Sequence, residues 1–292
     1  IGGGGFMLVH PNDGRDPAFV DYREKAPLAS TEDMYIDGGS RKNHRWVGVP
    51  GTVAGFVLAH EQFGTLPWED LVMPSVRLAE DGFGLKSLAQ GLHRAVERSE
   101  NDEFKRVYGK GGETQLWQAS DRLVLSDLGS TLRRIARWGN DGFYVGETAD
   151  LLVTEMVRGD GYITQNDLSS YAAVIREPIR TTFRGNEIFS APPPSSGGIA
   201  LTIMLGILEN FDLKSKGRWS PETVHVIIES MRRAYADRAR HLGDSDFIEI
   251  PVHLTTKGYA RELAASIDPR HATMSEKLGP RLTEVEESPE TT

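Results

Sequence analysis

The sequence of 292 residues contains no cysteine. That single absence excludes a disulfide framework, a thiolate metal site and a cysteine nucleophile, while leaving the cellular compartment open. No window has the apolar length of a membrane span. Basic charge is in deficit: 33 Lys and Arg stand against 42 Asp and Glu, a formal net charge of -9, so a broad basic face for nucleic acid is not expected. The eight histidines are His10, His44, His60, His93, His225, His241, His253 and His271, and none stands four residues from another. A helical zinc site needs that spacing, so no metal is expected. His225 and His241 share one predicted helix but lie too far apart along it to meet one ion. Internal repeats and low-complexity tracts are also missing.

What is present fits a folded chain: 39 % hydrophobic and 26 % charged residues, with 31 Gly and 15 Pro. The length allows one large domain or about two of ordinary size, and the patterning reads as one continuous α+β unit. Phe6 to His10 suits a buried strand ended by the turn residues Pro11-Asn12-Asp13-Gly14. Dense apolar positions after Pro50-Gly51 predict a buried helix over Thr52–Phe63, and helices are expected over 71–80, 126–137 and Glu147–Arg158. The polar stretch 88–110 reads as a loop. Ile179 to Phe183 and Glu187 to Phe189 flank Arg184-Gly185-Asn186 as a hairpin, and Pro192-Pro193-Pro194 ends its second strand. Ser220 as cap and Pro221 in the first turn start a helix that Gly243 closes. Its apolar face is expected to carry Val224, Ile227, Ile228, Met231, Ala234 and Tyr235. The acidic stretch 284–290 reads as an exposed strand or loop.

Several motifs could carry chemistry. Gly2 to Gly5 lacks the Lys and Ser/Thr that follow a phosphate loop, so close backbone packing is the better reading. Gly109-Lys110-Gly111-Gly112 meets the same objection and reads as a mobile loop. Arg158-Gly159-Asp160 falls at a predicted helix end, where Gly is ordinary capping chemistry. In Asp21-Tyr22-Arg23-Glu24-Lys25-Ala26-Pro27, Arg23 is suited to grip a carboxylate through two parallel hydrogen bonds with Glu24 orienting it. A surface ion pair explains the same residues. Ala191 to Ile199 leads from stiff prolines into Ser195, Ser196, Gly197 and Gly198, either an active-site turn or a rigid corner with Ser as cap. By composition, Glu287 to Thr292 is an acidic tail.

Six short segments occur together in order: Ile1 to Met7, Arg23 to Pro27, Pro50 to Phe56, Pro192 to Gly198, Tyr235-Ala236-Asp237-Arg238 and Glu287 to Thr292. In this set the chain resembles the gamma-glutamyltransferase family of N-terminal nucleophile hydrolases over essentially its whole length. The resemblance implies an α+β, four-layer αββα sandwich, incomplete in this chain, with apolar surface left where a partner subunit belongs. It implies a precursor that cuts itself between Glu290 and Thr291, so that 1–290 is a large-subunit portion and 291–292 the first residues of a small subunit. Thr291 would be the nucleophile and Thr292 the second residue of that subunit. Arg23 would hold the substrate α-carboxylate, with Glu24 as its orienter, and Ser195, Ser196, Gly197 and Gly198 would have an architectural role near the cleft. No cofactor is implied.

The implied substrate is glutathione or another γ-glutamyl compound, with an amino acid, a peptide or water as acceptor and the small subunit of the same precursor as partner. Family analogy points to the periplasm or secretion. Ile1 in place of Met and the stop after Thr292 suggest termini that are cut, and the 292 residues alone are expected to be catalytically silent. Two alternatives stand beside this reading. A cephalosporin acylase that removes a glutaryl side chain would share the fold and use for Arg23. A non-catalytic scaffold would need neither Arg23 nor Thr291.

Overall fold

A computed structural model describes residues 1–35 and 43–279, and every structural statement below concerns these. Strands β1 (Phe6–Val9) and β2 (Ala18–Asp21) come first, then helices α1 (Thr52–Phe63) and α2 (Trp68–Glu80). Next follow β3 (Phe83–Gly84), α3 (Ala89–Arg98), α4 (Asp102–Tyr108), β4 (Arg122–Leu123), α5 (Ser126–Trp138), α6 (Asp141–Tyr144), α7 (Glu147–Arg158) and α8 (Gln165–Ser170). The remainder is β5 (Val174–Arg176), β6 (Ile179–Phe183), β7 (Asn186–Ser190), α9 (Gly197–Leu208), α10 (Leu213–Lys216), α11 (Pro221–His241) and α12 (Lys257–Ala265). The α+β class expected from the sequence is observed. Instead of one continuous unit, the chain forms two compact ones: Ile1–Gly5 with Tyr22–Ala173, and Phe6–Asp21 with the chain from Val174 onward.

In the first unit α1 occupies its expected bounds, with Val53, Ala54 and Ala59 buried. Its core continues through Ile135, Phe143, Tyr144, Ala149 and Leu168. Helix α2 starts at Trp68, three residues before the apolar period, and packs on α5. The expected loop over 88–110 is instead two helices. Ala89, Leu92 and Val96 are too sparse an apolar stripe to stand out in a polar stretch, but Ala89 and Leu92 pack into a cluster with Leu85, Trp117 and Leu123. Tertiary burial, more than intrinsic propensity, stabilises most protein helices. The Gly109 to Gly112 segment is likewise tied down rather than loose, because Lys110 bridges to Glu113 and Gln115 and its Nζ pairs with Asp121 at 2.7 Å. Helix α7 ends at Arg158 with Gly159 as its cap, as the capping reading requires.

In the second unit β1, β2 and β5 form an antiparallel sheet. Strand β1 is not the buried strand expected, since Leu8 is 43 % exposed. The β6–β7 hairpin pairs Ile179 with Ser190 and Phe183 with Asn186 around a two-residue turn. Arg184 and Gly185 both take positive φ, 50° and 81°, the handedness that matches strand twist. Helix α9, apolar all round, is buried against α11 and α12 through Ile199, Ile203 and Ile207.

Helix α11 begins at the expected Ser220-Pro221 cap, but the face it buries is not the one the apolar spacing predicts. Thr223, Val226, Glu229, Ser230, Arg233, Ala234 and Asp237 are buried. Of the expected stripe only Ala234 is fully buried, while Ile228, Met231 and Tyr235 are 49 %, 44 % and 55 % exposed. The buried face tolerates polar atoms because they are satisfied. Glu229 accepts from Arg233 Nη1 and Arg232 Nη1, each at 2.6 Å, and from the Thr273 hydroxyl at 2.5 Å. Arg233 also donates to Ser266 Oγ at 2.9 Å and to the Ser266 carbonyl at 3.0 Å. The helix ends at His241, before Gly243, with Leu242 extended as its cap. Among the described residues no helix is long and apolar enough to cross a membrane.

Candidate active site

Arg23 lies in a segment whose backbone is gripped from several sides within the first unit. The glycine run lies alongside it: Gly5 N–H donates to the Tyr22 carbonyl at 3.2 Å, and Tyr22 N–H returns a bond to the Gly5 carbonyl at 3.0 Å. A Cβ on Gly4 would lie 2.4 Å from the Tyr22 carbonyl oxygen and 2.6 Å from the Glu24 nitrogen. No side chain fits there, so close packing is what the glycines provide. The Gly3 carbonyl accepts from Gly51 N–H and Thr52 N–H, both at 2.9 Å, and from the Thr52 hydroxyl at 2.8 Å. It thereby satisfies amides at the start of α1 that have no partner inside the helix.

On the other side, Lys25 and Val49 exchange backbone hydrogen bonds of 3.3 and 2.8 Å. The Tyr171 hydroxyl donates to the Arg23 carbonyl at 2.8 Å, and Leu28 N–H donates to Asp167 Oδ1 at 2.7 Å. Arg23 itself is exposed, as are Glu24 and Lys25. The Glu24 carboxylate accepts the Gly4 N–H at 2.7 Å, so this side chain also ties the glycine run to the Arg23 segment.

Asp167 is buried and belongs to a capping box with Thr164 at the start of α8. Burial by itself would raise its pKa, but bonds from Leu28 N–H and from the hydroxyl and N–H of Thr164 outweigh that and hold it below the ordinary carboxylate range. Tyr171 stacks on Tyr144 with ring planes 6° apart. The Tyr144 hydroxyl donates to the Pro50 carbonyl at 2.7 Å, and burial pushes its pKa up to about 12. A Cβ on Gly51 would lie 2.1 Å from both the Tyr171 hydroxyl and the Tyr22 carbonyl. Neither Asp167 nor Tyr171 stood out in the sequence as a functional residue. The Thr164-x-x-Asp167 spacing of the capping box was the only local signal.

In the second unit the proline turn runs from the end of β7 into α9. Ser195 N–H donates to the Pro192 carbonyl at 3.1 Å, and the Ser195 hydroxyl accepts Gly197 N–H at 3.3 Å. Ser196 stands at the cap position of α9 without capping it through its side chain. Its hydroxyl instead accepts from Arg238 Nε at 2.9 Å, and Gly198 packs against the Ala191 carbonyl. Two separate motifs, Pro192 to Gly198 and Tyr235 to Arg238, are thus joined by one hydrogen bond. Asp237 of the latter accepts from the Tyr259 hydroxyl at 2.8 Å, and burial together with that carboxylate raises the Tyr259 pKa to about 12. Asp21, on β2, pairs with Arg176 at 2.8 Å, and Arg176 also forks onto Asp246 at 2.9 and 3.0 Å.

The stretch 284–290 and the expected residues Thr291 and Thr292 lie outside the described residues. Among the described residues no group of three or more His, Asp or Glu side chains could hold a metal ion.

The fold is that of the N-terminal nucleophile hydrolases. The chain is similar to the gamma-glutamyltranspeptidase of Helicobacter pylori, with a TM-score of 0.90 at 37 % identity over 98 % of this chain and 84 % of that one. The whole sequence, residues 1–292, matches the family Gamma-glutamyltranspeptidase, and the chain belongs to that family. Among curated relatives it is 43 % identical to a glutathione hydrolase proenzyme of Pseudomonas sp. (strain A14), over 96 % of this chain and 50 % of that protein. It is 40 % identical to the glutathione hydrolase proenzyme of Escherichia coli (strain K12), over 100 % of this chain and 52 % of that protein. The chain therefore spans about half the length of the curated relatives it matches.

Proposed function

We propose that the protein to which this chain contributes is a γ-glutamyl transferase and glutathione hydrolase, formed from a precursor by cleavage between Glu290 and Thr291. The observation that carries this reading is the 43 % identity, across nearly the whole chain, to a protein named a glutathione hydrolase proenzyme. In this scheme residues 1–290 belong to the large subunit and Thr291 opens the small one. The Thr291 hydroxyl attacks the γ-carbonyl of the donor, the amine leaves, and an acyl-threonine intermediate passes its γ-glutamyl group to water or to an acceptor amino acid or peptide. A free α-amine on the nucleophile serves as base, and such amines titrate at about 7.7–8.0, near the pH at which a base is most useful. Before cleavage that amine is locked in a peptide bond, so processing switches the activity on.

Arg23 holds the donor α-carboxylate in this reading. What supports it is the combination of an exposed guanidinium-bearing side chain and a backbone bonded on both flanks. Glu24 secures the local frame, and the Ser195–Ser196–Gly197–Gly198 turn has the architectural role. Thr291→Ala in the complete protein should abolish both the appearance of two subunits on a denaturing gel and turnover of a γ-glutamyl anilide. A variant that is cleaved and active would overturn the assignment. Parallel assays on glutathione and a glutaryl-cephalosporin separate the transferase from an acylase of the same fold.

A further inference from the structure

We propose that Tyr171 and Asp167 are positioning residues that set Arg23 for the donor carboxylate; the proposal rests on the reading of Arg23 given above. The two residues stand at the end and in the middle of one stretch, Thr164 to Tyr171, and grip opposite ends of the segment that carries Arg23. At one end the Tyr171 hydroxyl holds the Arg23 carbonyl at 2.8 Å. At the other, five residues on, the Asp167 carboxylate holds the Leu28 N–H at 2.7 Å. The Lys25–Val49 backbone pair fixes the middle.

Each grip is itself immobilised. Asp167 Oδ2 accepts Thr164 N–H at 2.8 Å and the Thr164 hydroxyl at 2.5 Å, so the carboxylate cannot rotate away from Leu28 without losing them. Tyr171 is stacked on Tyr144, whose hydroxyl is anchored on the Pro50 carbonyl. Space for the Tyr171 hydroxyl exists only because position 51 is glycine. The chemistry explains why such bracing matters. A guanidinium recognises a carboxylate through two parallel bonds, a geometry that tolerates little angular error. A backbone that is already ordered removes part of the entropy that binding would otherwise have to overcome. The Tyr171 hydroxyl and the Asp167 carboxylate meet the segment at backbone atoms, the Arg23 carbonyl and the Leu28 N–H, so in this proposal their effect on a substrate passes through Arg23.

The test uses the full-length, self-processed protein and two competitive inhibitors of γ-glutamyl anilide hydrolysis. One is glutamate, and the other is 4-aminobutyrate, which is glutamate without the α-carboxylate. Tyr171→Phe removes one oxygen and keeps the ring. It should raise the KM for the anilide and the inhibition constant for glutamate about fivefold, the size of one typical hydrogen bond. Its kcat and the inhibition constant for 4-aminobutyrate should stay within about twofold. Asp167→Asn, at the other end of the bracket, should shift the glutamate-to-4-aminobutyrate ratio in the same direction, and it decides the matter alone if the Tyr171 variant fails to process. Equal weakening of both inhibitors, or no weakening of either, would overturn the proposal. Arg23→Ala is assayed alongside. If that variant keeps its preference for glutamate, the reading of Arg23 fails, independently of Tyr171.

Discussion

Two arginines separate the chemistry of the two units. Arg233 is 3 % exposed, and it is bonded to Glu229, Ser266 and Thr273. Its charge is consumed inside the fold. Arg23 is exposed, and its backbone is held through Tyr22, Lys25, Tyr171 and the glycine run. A buried, fully bonded guanidinium contributes to folding but has nothing left to offer a ligand, whereas an exposed one on a hydrogen-bonded backbone is accessible to one, the role proposed above for Arg23. The locking devices differ as well: buried ionic bonds in one unit, backbone contact across glycines in the other.

The sharpest way to break this comparison is to remove the partner of the buried arginine. Glu229→Gln leaves Arg233 charged and under-compensated and should lower the unfolding free energy by roughly 3–5 kcal/mol, read by chemical denaturation. An effect below about 1 kcal/mol would show that the network is not structural. Burial works against the charge on Glu229, but the bonds from Thr273, Arg233 and Arg232 prevail and bring its pKa from 4.5 down to about 2. The stability it lends is therefore complete above its unfolded value. It is lost as the pH falls from 4.5 toward 2, a component that should be missing from the acid unfolding curve of Glu229→Gln.

A smaller effect is expected in the other unit from Gly51→Ala. Its new Cβ would lie 2.1 Å from the Tyr171 hydroxyl and the Tyr22 carbonyl. Overpacking of this kind typically costs roughly 1–3 kcal/mol, and here it should also raise the KM for a γ-glutamyl donor in the full-length protein. Lost stability with an unchanged KM would separate the glycine packing from the placing of Arg23.

How far the sequence carried depended on the range of the forces involved. Helix α1 and the β6–β7 hairpin follow from neighbouring residues, a dense apolar run after Pro50-Gly51 and a two-residue turn, and both occur where expected. Helix α3 is not legible locally because its thin stripe is completed by Trp117 and Leu123, far along the chain. The buried face of α11 departs from its apolar spacing for a related reason. Glu229 and Arg233 fall outside the apolar spacing, and what lets them be buried is the bonding from Ser266 and Thr273, more than thirty residues further along the chain. At the candidate site, Arg23 and Glu24 were visible in a family motif. Asp167 and Tyr171 reach that segment from 139 and 148 residues away, a separation that no local pattern records.

Arg233 serves the fold, and the proposal that Arg23 serves a ligand is tested most directly at Arg23 itself. Arg23→Lys keeps the charge and loses the two-pronged geometry. In the full-length protein it should raise the KM for glutathione about tenfold, corresponding to about 1.4 kcal/mol, with the denaturation midpoint essentially that of the parent. An unchanged KM, or a rise accompanied by an equal loss of stability, would contradict the account.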